Sequence, residues 1–178
     1  MAAIFEAIST NKVSEETIIS MIKEEPTILK SPDTPRDSTN HTLLNRASRK
    51  NKKKVILFLL DLGACSYIQA NNGINSLMWI CNHLQYDIII RELQNPVSII
   101  SLRDNDGWTI VDFFLDGVTE STPIEIINYF MLLFRKLKMN NHQKNDLWEL
   151  INNNKNISRK KLLEIRKLVI VYNSNNDY

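Results

Sequence analysis

With 178 residues, 43% of them hydrophobic and 24% charged, the chain is long enough for one domain that buries about 70% of its unfolded surface. It is too apolar to be wholly disordered. Four glycines and 8% aromatic residues argue against a β-sandwich or barrel, against glycine-rich phosphate loops, and against a stacking platform for single-stranded nucleic acid. The net charge is only +2, but it alternates: −3 over 1–37, +5 over 38–63, −3 over 64–138 and +3 over 139–178. A strongly basic nucleic-acid binder is more one-sided.

The first residues carry Glu6 where a secretory signal has positive charge, and no long apolar stretch follows. The apolar run Val55–Leu60 is far short of the ~18 residues that span a bilayer. Two cysteines, Cys65 and Cys81, are too few to staple a secreted scaffold. These features predict a reducing, intracellular compartment. The chain holds 21 Asn and 23 Ile, a bias that fits an AT-rich genome.

Apolar spacing predicts helices over 3–9 and 15–24, the second N-capped by Ser14 and stopped by Pro26. Residues 31–40 read as a turn-rich loop. The next stretch repeats itself. Thr42, Asn75 and Thr109 stand 33 and 34 residues apart, and the same steps superpose Leu44, Leu77 and Val111, then Ala47, Ile80 and Phe114. Gly73 and Gly107 lie two residues ahead of their anchors, with Asn40, the best substitute for glycine at positive φ, in the remaining copy. Each copy reads as a turn, a short helix and a more apolar second helix: Val55–Leu60, Ile88–Leu93 and Ile124–Leu137. Asp61-Leu62-Gly63-Ala64 is a helix stop with glycine in the left-handed region.

Residues 37–69 resemble one ankyrin repeat, with Thr42-Leu43-Leu44 in the slot of that family's Thr-Pro-Leu-His and Gly63-Ala64 at its end. Gly73–Cys81 and Asp104–Asp112 resemble the starts of two more repeats. The chain departs from the pattern where Thr-Pro-Leu-His is never intact, where Glu92 replaces an apolar residue, where Pro96-Val97 replaces Gly-Ala, and where extra residues fill Gly117–Pro123. The resemblance implies an all-α ankyrin-repeat solenoid of four to five stacked helix pairs in a single domain, 1–172. Residues 1–36 form a degenerate N-terminal cap, 37–138 three repeats, and 139–172 a C-terminal cap from helices near 143–153 and 158–171. A frayed tail follows at 173–178. End pairs must be polar outside, and the first is acidic while the last is rich in Lys, Arg and Asn.

No nucleotide, zinc-protease or nucleophile-elbow motif occurs. His41, His83 and His142 lie far apart, without acids or cysteines at metal spacing, so no metal or cofactor is expected. Cys81, on the packed face of a first helix, reads as an inert buried thiol. Arg49-Lys50-Asn51-Lys52-Lys53-Lys54 is either a solvated turn or a basic contact, for nuclear import, nucleic acid or an acidic partner. Arg159-Lys160-Lys161 opposes its helix dipole and reads as part of the cap. Trp79 and Trp148 read as packing residues. Trp108 follows a turn glycine and either projects towards the partner surface or folds back.

What the resemblance implies for function is a non-enzymatic protein-interaction module. Its partner-facing slots are Ser38, Thr39, His41, Arg49 and Lys50 in the first clear repeat and Asn71, Asn72, Ile74, Asn82 and His83 in the second. In the third they are Asn105, Asp106, Trp108, Asp116 and Gly117. The face runs from basic to acidic, so a partner should run the other way. Short Asn/Ile/Lys-rich ankyrin proteins of this kind resemble those of poxviruses and intracellular bacteria, which implies binding and inhibition of a host signalling protein of the NF-κB type, in the cytoplasm or nucleus. No F-box-like ending is found. The alternative is a helical protein that binds nucleic acid or an acidic ligand through Lys52, Lys53 and Lys54 and through 159–161.

Overall fold

The computed structural model describes residues 1–94, 102–136 and 154–174. Among them are ten helices: α1 (Ala2–Ser9), α2 (Glu15–Lys23), α3 (Pro26–Lys30), α4 (Leu43–Arg49), α5 (Lys53–Asp61), α6 (Ser76–Asn82), α7 (Tyr86–Glu92), α8 (Ile110–Gly117), α9 (Ile124–Lys136) and α10 (Arg159–Ser174). No strand is present among the described residues, only an isolated bridge between Arg36 and Thr42. The chain is all-α. Two expectations are corrected. Pro26 does not end α2, which stops at Lys23; it opens α3, because the first helical position needs no amide donor. The helix α10 runs to Ser174, two residues into the expected tail. Pro96-Val97, His142, Trp148 and the helix expected near 143–153 lie outside the described residues.

Helix starts follow from local chemistry. Ser14 accepts from the Thr17 amide, Thr42 from Asn45 and Asn75 from Met78, each from an extended backbone that suits an N-cap. At α8 the Asp112 carboxylate closes back on the Thr109 N–H at 2.6 Å. Helix ends are equally regular. After α5, Gly63 stands at φ +87° while the amides of Gly63 and Ala64 return to Leu60 and Leu59. The same pair of bonds ends α4 around Asn51 (φ 53°) and α6 around Leu84 (φ 53°). A leucine there costs about 1–2 kcal/mol of backbone strain, and its side chain packs against the core.

The turns ahead of α4, α6 and α8 are built alike. The amides of Asp37, Ala70 and Asp104 donate to the carbonyls of His41, Ile74 and Trp108 at 2.9–3.1 Å. Asn40, Gly73 and Gly107 all take positive φ (61°, 79° and 87°), as the alignment predicts. Arg36, Gln69 and Arg103, again 33 and 34 apart, each reach the carbonyl of that positive-φ residue. The turns are also joined laterally: Asn71 donates its amide to Thr39, and Asn105 donates its amide to Asn72 and its side chain to the Asn71 carbonyl.

Behind the turns, α1, α4, α6 and α8 pack on one another in succession. The helices α2 and α5 pack together behind α1 and α4, α7 packs on α6, and α9 on α10. Phe130 of α9 meets Phe114 at 5.0 Å and Tyr86 at 5.5 Å. Leu44, Leu77 and Val111, and Ala47, Ile80 and Phe114, are all fully buried. Each short helix thus buries a stripe that it could not cover alone. Glu92 fits its apolar slot because the buried Ser66 hydroxyl donates to it at 2.5 Å.

Candidate partner-binding face

Successive first helices and turn tips leave one open face. Ser38, Thr39, Asn71, Asn72, Asn105 and Asp106 stand exposed at the tips, and Arg49, Lys50 and Asp116 at the helix ends. Ile74, Asn82, His83, Trp108 and Gly117 are half-buried between them. His41 is a correction: only 5% of it is exposed. Its Nδ1 lies 2.6 Å from the Thr39 hydroxyl, so the ring braces the turn from inside.

The centre of the face is a row of rings that the residue types alone do not reveal. Trp79 meets Phe113 edge-on at 5.7 Å, and Phe113 meets Trp108 edge-on at 5.6 Å. The Arg49 guanidinium sits 5.9 Å from the Trp79 ring centre, within cation–π range, and His83 stacks beside it. Trp79 therefore packs between repeats, as expected, but also keeps a half-exposed surface. Trp108 leans back onto Phe113 of its own repeat. The signal that could have found this row is the alignment itself, since Arg46, Trp79 and Phe113 share one slot at the same steps. Charge changes sign along the row. Arg49 and Lys50 lie at the α4 end; Asp116, which accepts from Asn82 at 2.9 Å, lies at the α8 end with Asp106.

The first turn is held by a carboxylate. Asp37 accepts from the amide and hydroxyl of Thr39, from the His41 amide, and from Arg46 Nε at 2.5 Å. Burial pushes its pKa up, but the hydrogen bonds from Thr39, His41 and Arg46 outweigh it and hold the group well below the usual carboxylate range. Burial first, then the Arg46 charge, lowers the His41 pKa. Both shifts act in the same direction. The unfolded chain takes up the His41 proton below about pH 6.5 and the Asp37 proton below about pH 4, before the folded chain does. The urea midpoint should therefore fall as pH drops from 7 to 3. Asp37→Asn should lower it at neutral pH and flatten its lowest-pH portion. A midpoint independent of pH would contradict this arrangement.

The basic cluster is largely spoken for. Lys52 is a second correction: as the residue capping α5 it is 8% exposed and does not belong to an open patch. Lys53 pairs with Asp87 at 2.8 Å and Lys54 with Glu16. Glu15 accepts the Lys54 and Val55 amides at 2.7 and 3.2 Å, so the preceding layer caps α5. Cys81 is fully buried, which pushes its thiol pKa up, away from reactivity. Among the described residues no cluster of His, Cys, Asp or Glu is placed to hold a metal ion, and no helix is long and apolar enough to cross a membrane. No protein-family model matches the chain, and no curated protein matches it.

Proposed function

We propose that the chain is a non-enzymatic protein-interaction module, a short ankyrin-type solenoid of four to five helix pairs whose partner lies across the turn tips and the first helices. The observation that carries this reading is the repetition of one hydrogen-bonded turn three times at steps of 33 and 34 residues, with each turn bonded to the next. Asn45, in the slot of the motif's histidine, bonds the Ile68 carbonyl at the end of its own repeat and ties that repeat to the following one through the Ser76 hydroxyl. The partly exposed Trp79 and Trp108, backed by the buried Phe113, supply aromatic anchors, and the face carries a charge gradient of the kind that binding hot spots use. The partner to test first is a host signalling protein of the NF-κB type. Nucleic acid is a weaker reading, because Lys53 and Lys54 are paired and Lys52 is buried.

Binding of a purified NF-κB-type protein, followed by calorimetry, tests the proposal. Trp79→Ala and Trp108→Ala should each weaken it by about 2 kcal/mol, or roughly thirtyfold. Lys53→Ala with Lys54→Ala should change mainly the association rate. Loss of binding with the lysines and none with either tryptophan would overturn the assignment of the face. A steep fall of affinity with salt would favour the nucleic-acid reading.

A further inference from the structure

The helix α10 carries its charge against its dipole: the first turn holds Arg159, Lys160 and Lys161 and no acid, where anions are favoured. Lys161 has a structural role. It is 7% exposed, and its ammonium donates to the Glu120 carbonyl at 2.5 Å and to the Thr122 carbonyl. The residue ahead of the helix is also held, since the Glu120 carboxylate accepts the Ser158 N–H at 2.7 Å and its hydroxyl at 3.1 Å, while the Ser158 hydroxyl accepts the Lys161 N–H at 3.2 Å. Among the described residues, Arg159, Lys160 and Lys167 make no such hydrogen bond, although, after the Ser158 hydrogen bonds, the Lys160 charge helps to lower the Glu120 pKa. They are exposed, and none pairs with a carboxylate among the described residues. Positions 159, 160, 163, 164 and 167 fall on one side of the helix, and in the middle of them Leu163 is 48% exposed. Beside this face lies a shallow cleft of about 230 Å³, with Ile124 in its lining between Glu120, Lys160 and Glu164.

We propose that this face of α10 is a second docking surface, separate from the turn-tip face, and that it takes an acidic, amphipathic segment of a protein partner. Carboxylates of the segment meet Arg159, Lys160 and Lys167, and an apolar side chain covers Leu163 and reaches Ile124. Charge complementarity selects the acid, and an apolar spot ringed by charge is the anatomy of a protein interface. A phosphate-bearing ligand fits less well. A phosphate backbone carries no apolar group to cover Leu163, whereas an amphipathic segment does.

The test uses the full chain and a labelled amphipathic peptide with glutamates flanking a leucine, read by fluorescence anisotropy. The peptide should bind, and Leu163→Asp or the pair Arg159→Glu, Lys160→Glu should each weaken it about tenfold. Trp79→Ala should leave it unchanged, which separates this surface from the turn-tip face. Leu163→Gln, with an unchanged melting curve, guards against an effect of folding. Three results would overturn the proposal: no binding of the peptide, equal binding of a polyglutamate that lacks leucine, or tighter and steeply salt-dependent binding of a DNA duplex.

Discussion

Gly117→Ala should cost about 3 kcal/mol or more, although alanine ordinarily improves a helix by about 1 kcal/mol over glycine. Gly117 is the last residue of α8, and a Cβ there would lie 1.9 Å from the Asn82 carbonyl oxygen and 2.7 Å from its carbon. Both obstacles are backbone. Asn82 ends α6 and is itself tied to α8, through the Phe113 carbonyl at 3.3 Å and Asp116 at 2.9 Å. The layers must therefore separate to admit a methyl group. Gly107→Ala is the control: φ is +87° and nothing lies within 4 Å of the new carbon, so only strain of about 1–2 kcal/mol is expected. Urea midpoints of the two variants check this. A neutral Gly117→Ala would mean that α6 and α8 are not in contact at that point.

The second large effect is expected at Asn45. It is fully buried, donates to the Ile68 carbonyl at the end of its own repeat at 3.2 Å, and accepts from the Ser76 hydroxyl of the following one. Truncation to alanine leaves the half-buried Ile68 carbonyl without its donor and the buried Ser76 hydroxyl without its acceptor. Each loss costs about 1–3 kcal/mol, and about 3 kcal/mol is expected in total. Ser76→Ala alone should cost less, because it frees only one group. The double variant should cost less than the sum, with a coupling of about 1 kcal/mol. Strict additivity would show that the two side chains do not share this bond.

The repeated elements were readable because each rests on a residue type that physics restricts. Thr42, Asn75 and Thr109 are cap formers, Asn40, Gly73 and Gly107 tolerate positive φ, and Gly63 suits a helix stop. What could not be read was decided by tertiary contact. Leu84 takes a glycine-like backbone while its partly buried side chain packs against the core, and propensity points the other way. His41 looked like a surface residue until Asp37 and Thr39 drew it inward. Lys52 and Lys161 show that charge in a sequence does not specify exposure. On the open face, the tips were legible from their alignment with the turns. The row of rings was not legible from residue types, because Trp79 reads as core yet stays partly exposed, while Phe113 is buried and backs it from below.

The lateral bonds between turns also decide where such a chain can change length. At the tips, the Thr39 and Asn72 carbonyls and the Asn71 and Asn105 amides are already engaged with neighbouring turns. An added residue would put every later tip out of step. The connection between α8 and α9 has no counterpart in that row. It closes on itself through Thr119 and Thr122, and it hands Glu120 to the start of α10. An insertion in this connection leaves the spacing of the three tips intact, provided that it keeps the bonds of Glu120 and Thr122 to the start of α10.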